Sequence, residues 1–135
     1  MQTAYDYSSV LDANDLLSAK QIGLSAAELA QQKLGSKSLK SQKCPVIFTS
    51  RQSSGLFSQL LSALGGSRQY KKSSFLQNSL GEIVLPEGMS IFEDPIKLKT
   101  IGARAFDQDG IAKQKQFFVE YGRVASYIMS QYSAN

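Results

Sequence analysis

The sequence predicts an α+β fold, with two helices packed on a mostly antiparallel sheet and a C-terminal β-hairpin. Apolar residues recur at helical spacing in two stretches, around Ile22 and around Leu60. A Tyr121–Gly122 pair then divides two strand-like runs near the end, and two residues with glycine second suit a tight hairpin.

Residues 1–17 are polar and aromatic, with turn formers Asp12, Asn14 and Asp15, and read as an extended arm. Ser18 with Gln21 three residues later is a capping-box signature. Behind it Ile22, Ala26, Leu29, Ala30 and Leu34 keep helical spacing and Gly35 supplies a stop, which predicts a helix over 19–34. Gly23 costs that helix about 1 kcal/mol relative to alanine, so tertiary packing is needed to hold it.

Residues 35–43 form a polar Ser/Lys linker between an arm and helix at 1–34 and a second domain at 44–135. The apolar run Pro45–Val46–Ile47–Phe48 predicts a short strand over about 45–49, with Cys44 before it as an inert, buried thiol. Ser53 or Ser54 is expected to cap the second helix, in which Leu56, Phe57, Leu60, Leu61 and Leu64 make one apolar face. Gly65–Gly66 is expected to end it and release a basic loop, Ser67–Ser74.

Ile83–Leu85 and Met89–Phe92 give weaker strand signals around the turn Pro86–Glu87–Gly88. The hairpin strands are expected over about 112–120 and 123–131, pairing Phe117 with Val119 on one face and Tyr127 with Met129 on one face, with the chain stopping straight after the second strand.

Composition removes several chemistries. The 135 residues include no histidine, the commonest zinc ligand and the usual general base near neutrality. A single cysteine rules out an internal disulfide or a CxxC pair. Glu93 with Asp94, and Asp107 with Asp109, could suggest a metal or an acid/base pair. The first two point to opposite faces of an extended chain, and the second pair lacks the rest of a calcium loop. Both read as turns.

No secretory signal pattern opens the sequence, and no apolar run nears the roughly 20 residues that span a bilayer. A cytoplasmic protein without membrane contact is expected. The net charge of +4 is the excess of 15 Lys and Arg over 11 Asp and Glu, with basic groups at Lys33, Lys37, Lys40 and Lys43, then at Arg68, Lys71 and Lys72. No recognition-helix, zinc-finger or RNP-type pattern accompanies them, so nucleic acid is not the expected partner. The spacing of Gly65–Gly66 to the later Lys–Ser pair does not fit a P-loop.

Several stretches carry a resemblance: Lys43–Cys44–Pro45–Val46–Ile47–Phe48, the Leu56 to Gly66 helix ending in Gly–Gly, and Tyr70–Lys71–Lys72–Ser73–Ser74–Phe75–Leu76. Ser79–Leu80–Gly81, Phe92–Glu93–Asp94–Pro95, Phe106–Asp107–Gln108–Asp109–Gly110 and Ser130–Gln131–Tyr132–Ser133–Ala134 continue it. From about Gly35 to Asn135, and more weakly back to Asp15, the sequence resembles the TldD/PmbA family, also called modulators of DNA gyrase. The family's members are longer cytoplasmic proteins, so the resemblance implies an internal section, from the end of a middle domain into the C-terminal one.

One branch, the TldD type, carries a zinc-protease HExxxH helix; the PmbA (TldE) type lacks it and pairs with the first. The matching helix here is Leu56–Phe57–Ser58–Gln59–Leu60–Leu61, without a ligand or a catalytic glutamate. The resemblance is therefore to the PmbA branch. It implies a non-catalytic subunit of a metallopeptidase complex acting in proteolysis and peptide maturation, with no cofactor in this chain and zinc only in a TldD-type partner. Peptide or unfolded polypeptide is the implied substrate. Arg68, Tyr70, Lys71, Lys72 and Ser73 follow the helix and are expected to line a cleft or a partner surface. Two alternatives are a module binding DNA or gyrase, and a hydrolase using Ser73 or Ser74 with Lys71 or Lys72 as base.

Overall fold

Helix α1 (Ala19–Gln32) begins where its cap demands. Ser18 Oγ accepts from the Gln21 backbone N–H at 3.3 Å, and Gln21 Oε1 accepts from the Ser18 N–H at 3.0 Å. The computed structural model describes residues 1–134, which divide into two compact units: Met1–Pro45 with Leu98–Gly102, and Val46–Lys97 with the residues from Ala103 onward. Among the described residues, four α-helices and a three-stranded antiparallel sheet make the fold α+β.

In the first unit α1 half-buries Ile22, Ala26 and Leu29 and buries no residue fully. The arm is tied down at several points. Asp12 accepts from the Asn14 N–H to start a single 3₁₀ turn (Ala13–Asp15), and Lys33 Nζ donates to the Thr3 carbonyl at 2.9 Å. Lys99 reaches Asp15 at 2.7 Å and Asp12 at 3.0 Å, so 98–102 joins the arm.

The Asn14 N–H, and then Lys99, hold the Asp12 carboxyl below its ordinary range; Asp15, and then Asp12, hold the Lys99 ammonium above its own. The Asp12 contribution is present above the unfolded carboxylate value and fades as pH falls through the lower folded one. The Lys99 contribution is complete below the ordinary lysine value and fades as pH rises through the higher folded one. Lys99→Met is therefore expected to speed amide exchange across 12–16 at neutral pH and to leave it unchanged in strong acid. The change is small, because all three side chains are exposed. Equal exchange in both proteins at neutral pH would count against the tie.

In the second unit α2 (Ser50–Ala63) starts earlier than expected, with Thr49 at its N-cap position and no side-chain cap. Ser53 and Ser54 lie inside the helix, where their hydroxyls donate to the Ser50 and Arg51 carbonyls, both at 3.1 Å. Leu60 and Leu61 pack against the core and Leu64 is its centre; Leu56 stays half exposed.

Gly65 does not release a loop. It caps a further short helix, α3 (Gly66–Tyr70), and forms a parallel bridge with Ile128. Gly66 is closely covered there: a side chain would run into Ser133 Oγ and come within 2.7 Å of Met129 Sδ, so those side chains would have to shift. A fourth helix, α4 (Gln131–Ala134), follows, so the described chain does not close on a strand.

The sheet runs β1 (Ile91–Glu93), β2 (Gln116–Glu120), β3 (Arg123–Val124), antiparallel throughout. Tyr121 (φ 46°) and Gly122 (φ 78°) make the expected two-residue connection, both with positive φ as a type I′ turn needs. The returning strand is far shorter than 123–131. Ala125 and Ser126 both aim their N–H groups at the Phe118 carbonyl, at 2.9 and 3.4 Å. Two residues thus oppose one, the strand bends as at a bulge, and the chain leaves the sheet toward Gly65.

Facing is also mixed. Val119 and Phe118 are both buried, on opposite faces of β2, while Phe117 is half-buried with its ring 5.4 Å from that of Phe92. Met129 and Tyr127 lie beyond the sheet, and Tyr127 Oη accepts from the Ser79 N–H at 2.6 Å. Ile83 forms one bridge, to Arg123, in place of a full strand.

The strand expected over 45–49 is absent, because no described segment pairs with it. Its side chains lie open, Ile47 at 95% exposure, and Cys44 is an exposed thiol, not a buried one. Leu64, Phe118, Val119 and Val124 form the core cluster, with Leu60, Leu61, Leu76, Val84, Leu85, Ile91 and Tyr127 around them.

Candidate functional site

The sequence resemblance sets α2 against a zinc-protease helix, and its side chains decide what it can hold. Its sequence, Ser50 to Ala63, contains no histidine, cysteine, aspartate or glutamate. The hydroxyls of Ser53, Ser54 and Ser58 are all turned back onto carbonyls of the same helix, at 2.9–3.1 Å. Leu60 and Leu61 pack inward. A zincin helix presents two imidazoles one turn apart with a glutamate base; these residues do not fit zinc. Among the described residues no group of three or more metal-type ligands converges elsewhere.

The second unit has a groove of about 1040 Å³ between the start of α3, residues 107–116 and residues 128–133. Phe118, Ile128 and Met129 supply its apolar lining. Two of its carboxylates, those of Glu93 and Asp107, serve structure. Glu93 pairs with Lys113, and Asp107 Oδ1 accepts from the Asp109 and Ile111 N–H groups, both at 2.9 Å. That places Asp107–Gly110 as a turn.

Arg68, Tyr70, Lys71, Lys72 and Ser73 lie outside the groove lining, on an exposed rim. Arg68 and Tyr70 are both exposed but project from different sides of α3, whose Gly66 and Gln69 are buried. Lys71 caps the helix; Lys72 follows in the left-handed region at φ 52°, and the Ser73 N–H returns to the Arg68 carbonyl at 3.0 Å. With the Lys72 N–H on the Gln69 carbonyl at 3.1 Å, this is a Schellman closure with lysine where glycine is usual.

A serine–lysine hydrolase has no support in this geometry. Ser74 Oγ donates to the Ala63 carbonyl at 2.6 Å, and both lysines are exposed to solvent.

Beneath the rim lies a polar anchor that the sequence did not reveal. Gln69, 7% exposed, donates through Nε2 to the Ala63 and Leu76 carbonyls at 2.8 and 3.3 Å. Gln77 Nε2 donates to the Gln69 carbonyl at 3.1 Å, and Ser74 Oγ accepts from the Leu76 N–H at 3.0 Å. Recognising α3 as a helix would have placed Gln69 one turn from Gly66 on its inner face.

Residues 41–135 match the model of the PmbA/TldA metallopeptidase C-terminal domain. The chain belongs to the TldD/PmbA family. A protein of Buchnera aphidicola (subsp. Acyrthosiphon pisum) named Metalloprotease PmbA homolog is 32% identical over 134 residues, 99% of this chain and 30% of the relative. The chain thus spans about 30% of that curated relative's length.

Among solved structures, a Bacteroides thetaiotaomicron protein described as a candidate modulator of DNA gyrase superposes with a TM-score of 0.86 at 36% identity. The match covers 93% of this chain and 28% of that one. TldE from Thermococcus kodakarensis matches with a TM-score of 0.54 at 28% identity, over 59% of this chain and 18% of that one. The relatives place the chain on the PmbA side of the family. Among the described residues no helix is long and apolar enough to cross a membrane.

Proposed function

We propose that the chain is a section of the non-catalytic subunit of a cytoplasmic TldD/PmbA-type metallopeptidase complex, acting in proteolysis and peptide maturation. The observation that carries this reading is α2. It keeps the length and inward apolar packing of a scaffold helix, and where a zincin needs imidazoles and a carboxylate it offers leucine, phenylalanine and self-bonded serine. Side chains of that kind pack a core and hold no Lewis acid. The likeness to TldE and to a PmbA homologue supports a partner of the TldD type that brings the zinc. The substrate is then a peptide or unfolded polypeptide bound by the pair.

Metal content and proteolysis test the proposal together. The purified protein, exposed to excess zinc and dialysed, is expected to retain no stoichiometric metal and to leave unfolded casein intact. Mixed with a HExxxH-bearing partner it is expected to co-elute, and the complex to cleave the same substrate. Chelator-sensitive cleavage by this protein alone would overturn the reading.

A further inference from the structure

From Leu29 to Gly81 the sequence has no aspartate or glutamate. Within that span Arg68, Lys71 and Lys72 stand on the α3 rim, and none of them has an ion-pair partner among the described residues. Arg68 and Lys71 are three residues apart at the outward side of the helix, and neighbours at that spacing lie about 5–6 Å apart. Two large rings accompany the cations: Tyr70 is 73% exposed and Phe75 77% exposed. Aromatic side chains with arginine are the composition of protein interfaces.

The rim is also held still. Gln69, Ser74 and Gln77 bind its underside to the end of α2 through the hydrogen bonds described above. Lys72 occupies a left-handed position that glycine would take without strain. A lysine there carries some backbone strain and holds its side chain out in solvent.

We propose that this rim, Arg68, Tyr70, Lys71, Lys72 and Phe75, docks a short acidic segment of another polypeptide in extended form. In an extended chain alternate side chains project to one side about 7 Å apart, near the spacing of the cations. Tyr70 and Phe75 cover the segment's apolar atoms while the cations pair with its carboxylates. Nucleic acid is the poorer match. Beyond Lys72 the chain gives neutral residues and then Glu82 and Glu87, so the basic track is too short to follow a phosphate backbone. The inference goes beyond the peptidase reading and stands whichever reaction the protein serves.

The test uses the full chain and a fluorescein-labelled peptide that alternates Glu with Thr and carries two Leu. Controls are the same peptide with Lys for Glu and a single-stranded oligonucleotide of equal length. The acidic peptide is expected to bind, more weakly as salt rises, and the Lys71→Glu/Lys72→Glu variant to lose at least about tenfold in affinity. Lys72→Gly removes one cation while relieving the backbone. It is expected to bind more weakly with a melting temperature equal to or above that of the parent, which separates lost contacts from lost folding. Equal binding by parent and charge-reversed variant, no binding at low salt, or tighter binding of the oligonucleotide would each overturn the proposal.

Discussion

Gly122→Ala is expected to cost about 4 kcal/mol or more and to leave little folded protein at physiological temperature. Gly122 holds φ 78°, where alanine is strained, and its Cβ would strike the Leu85 carbonyl oxygen and approach the Pro86 carbonyl oxygen to 2.9 Å. These obstacles are backbone, which cannot swing aside as a side chain can. The same residue donates to the Met89 carbonyl at 2.8 Å and accepts from the Val84 and Leu85 N–H groups at 2.8 and 3.1 Å. Moving it therefore unpicks the turn and its neighbours together. Gly88→Ala is the control, since its Cβ would meet nothing within 4 Å, and should change stability by less than about 0.5 kcal/mol. Urea unfolding of both variants decides the matter; equal midpoints would show that the close approach at Gly122 is not binding on the fold.

Leu64→Ala is expected to destabilise by about 2–5 kcal/mol. Leu64 is fully buried against Phe118, Val119 and Val124, in a core cluster of only those four residues. Partly buried Leu60, Leu61, Leu76, Val84, Leu85, Ile91 and Tyr127 surround the cluster, and how far they can close on the gap sets where in that range the loss falls. A domain this size typically holds about 5–15 kcal/mol, so the loss is a large share. Leu56→Ala, on the same helix but 50% exposed, is expected to cost far less. If the two variants unfold at the same urea concentration, the burial gradient along α2 is not what stabilises the unit.

The elements with local causes could be read from sequence. Ser18 and Gln21 cap α1 by contacts three residues apart, and Tyr121–Gly122 sets the hairpin by its own torsions. What failed depended on remote partners. Whether Val46 to Phe48 pairs is decided by a neighbouring strand edge, and none comes beside them. Gly65–Gly66 looks like a helix stop on local grounds. It becomes a helix junction because Ile128, far along the chain, takes its backbone groups.

The return strand failed in a similar way, since the bulge at Phe118 leaves no mark in an apolar run. At the site, the missing imidazoles of α2 were plain from composition. The Gln69 anchor was not, because a glutamine in a polar, basic stretch looks solvated until the helix beneath it is seen.

The joint between the two central helices has a consequence for how the protein is made. The Leu64 carbonyl accepts from Ile128, and the Gly66 N–H donates to the Ile128 carbonyl, so one short stretch is closed by residues some sixty positions later. A polypeptide emerging from the ribosome, N-terminus first, carries the leucine uncovered until its distant cover has been translated. Contacts so far apart in sequence also form slowly. The interval in which that greasy end of the helix is naked is thus set by the pace of translation, and it is then that a chaperone would find the nascent chain.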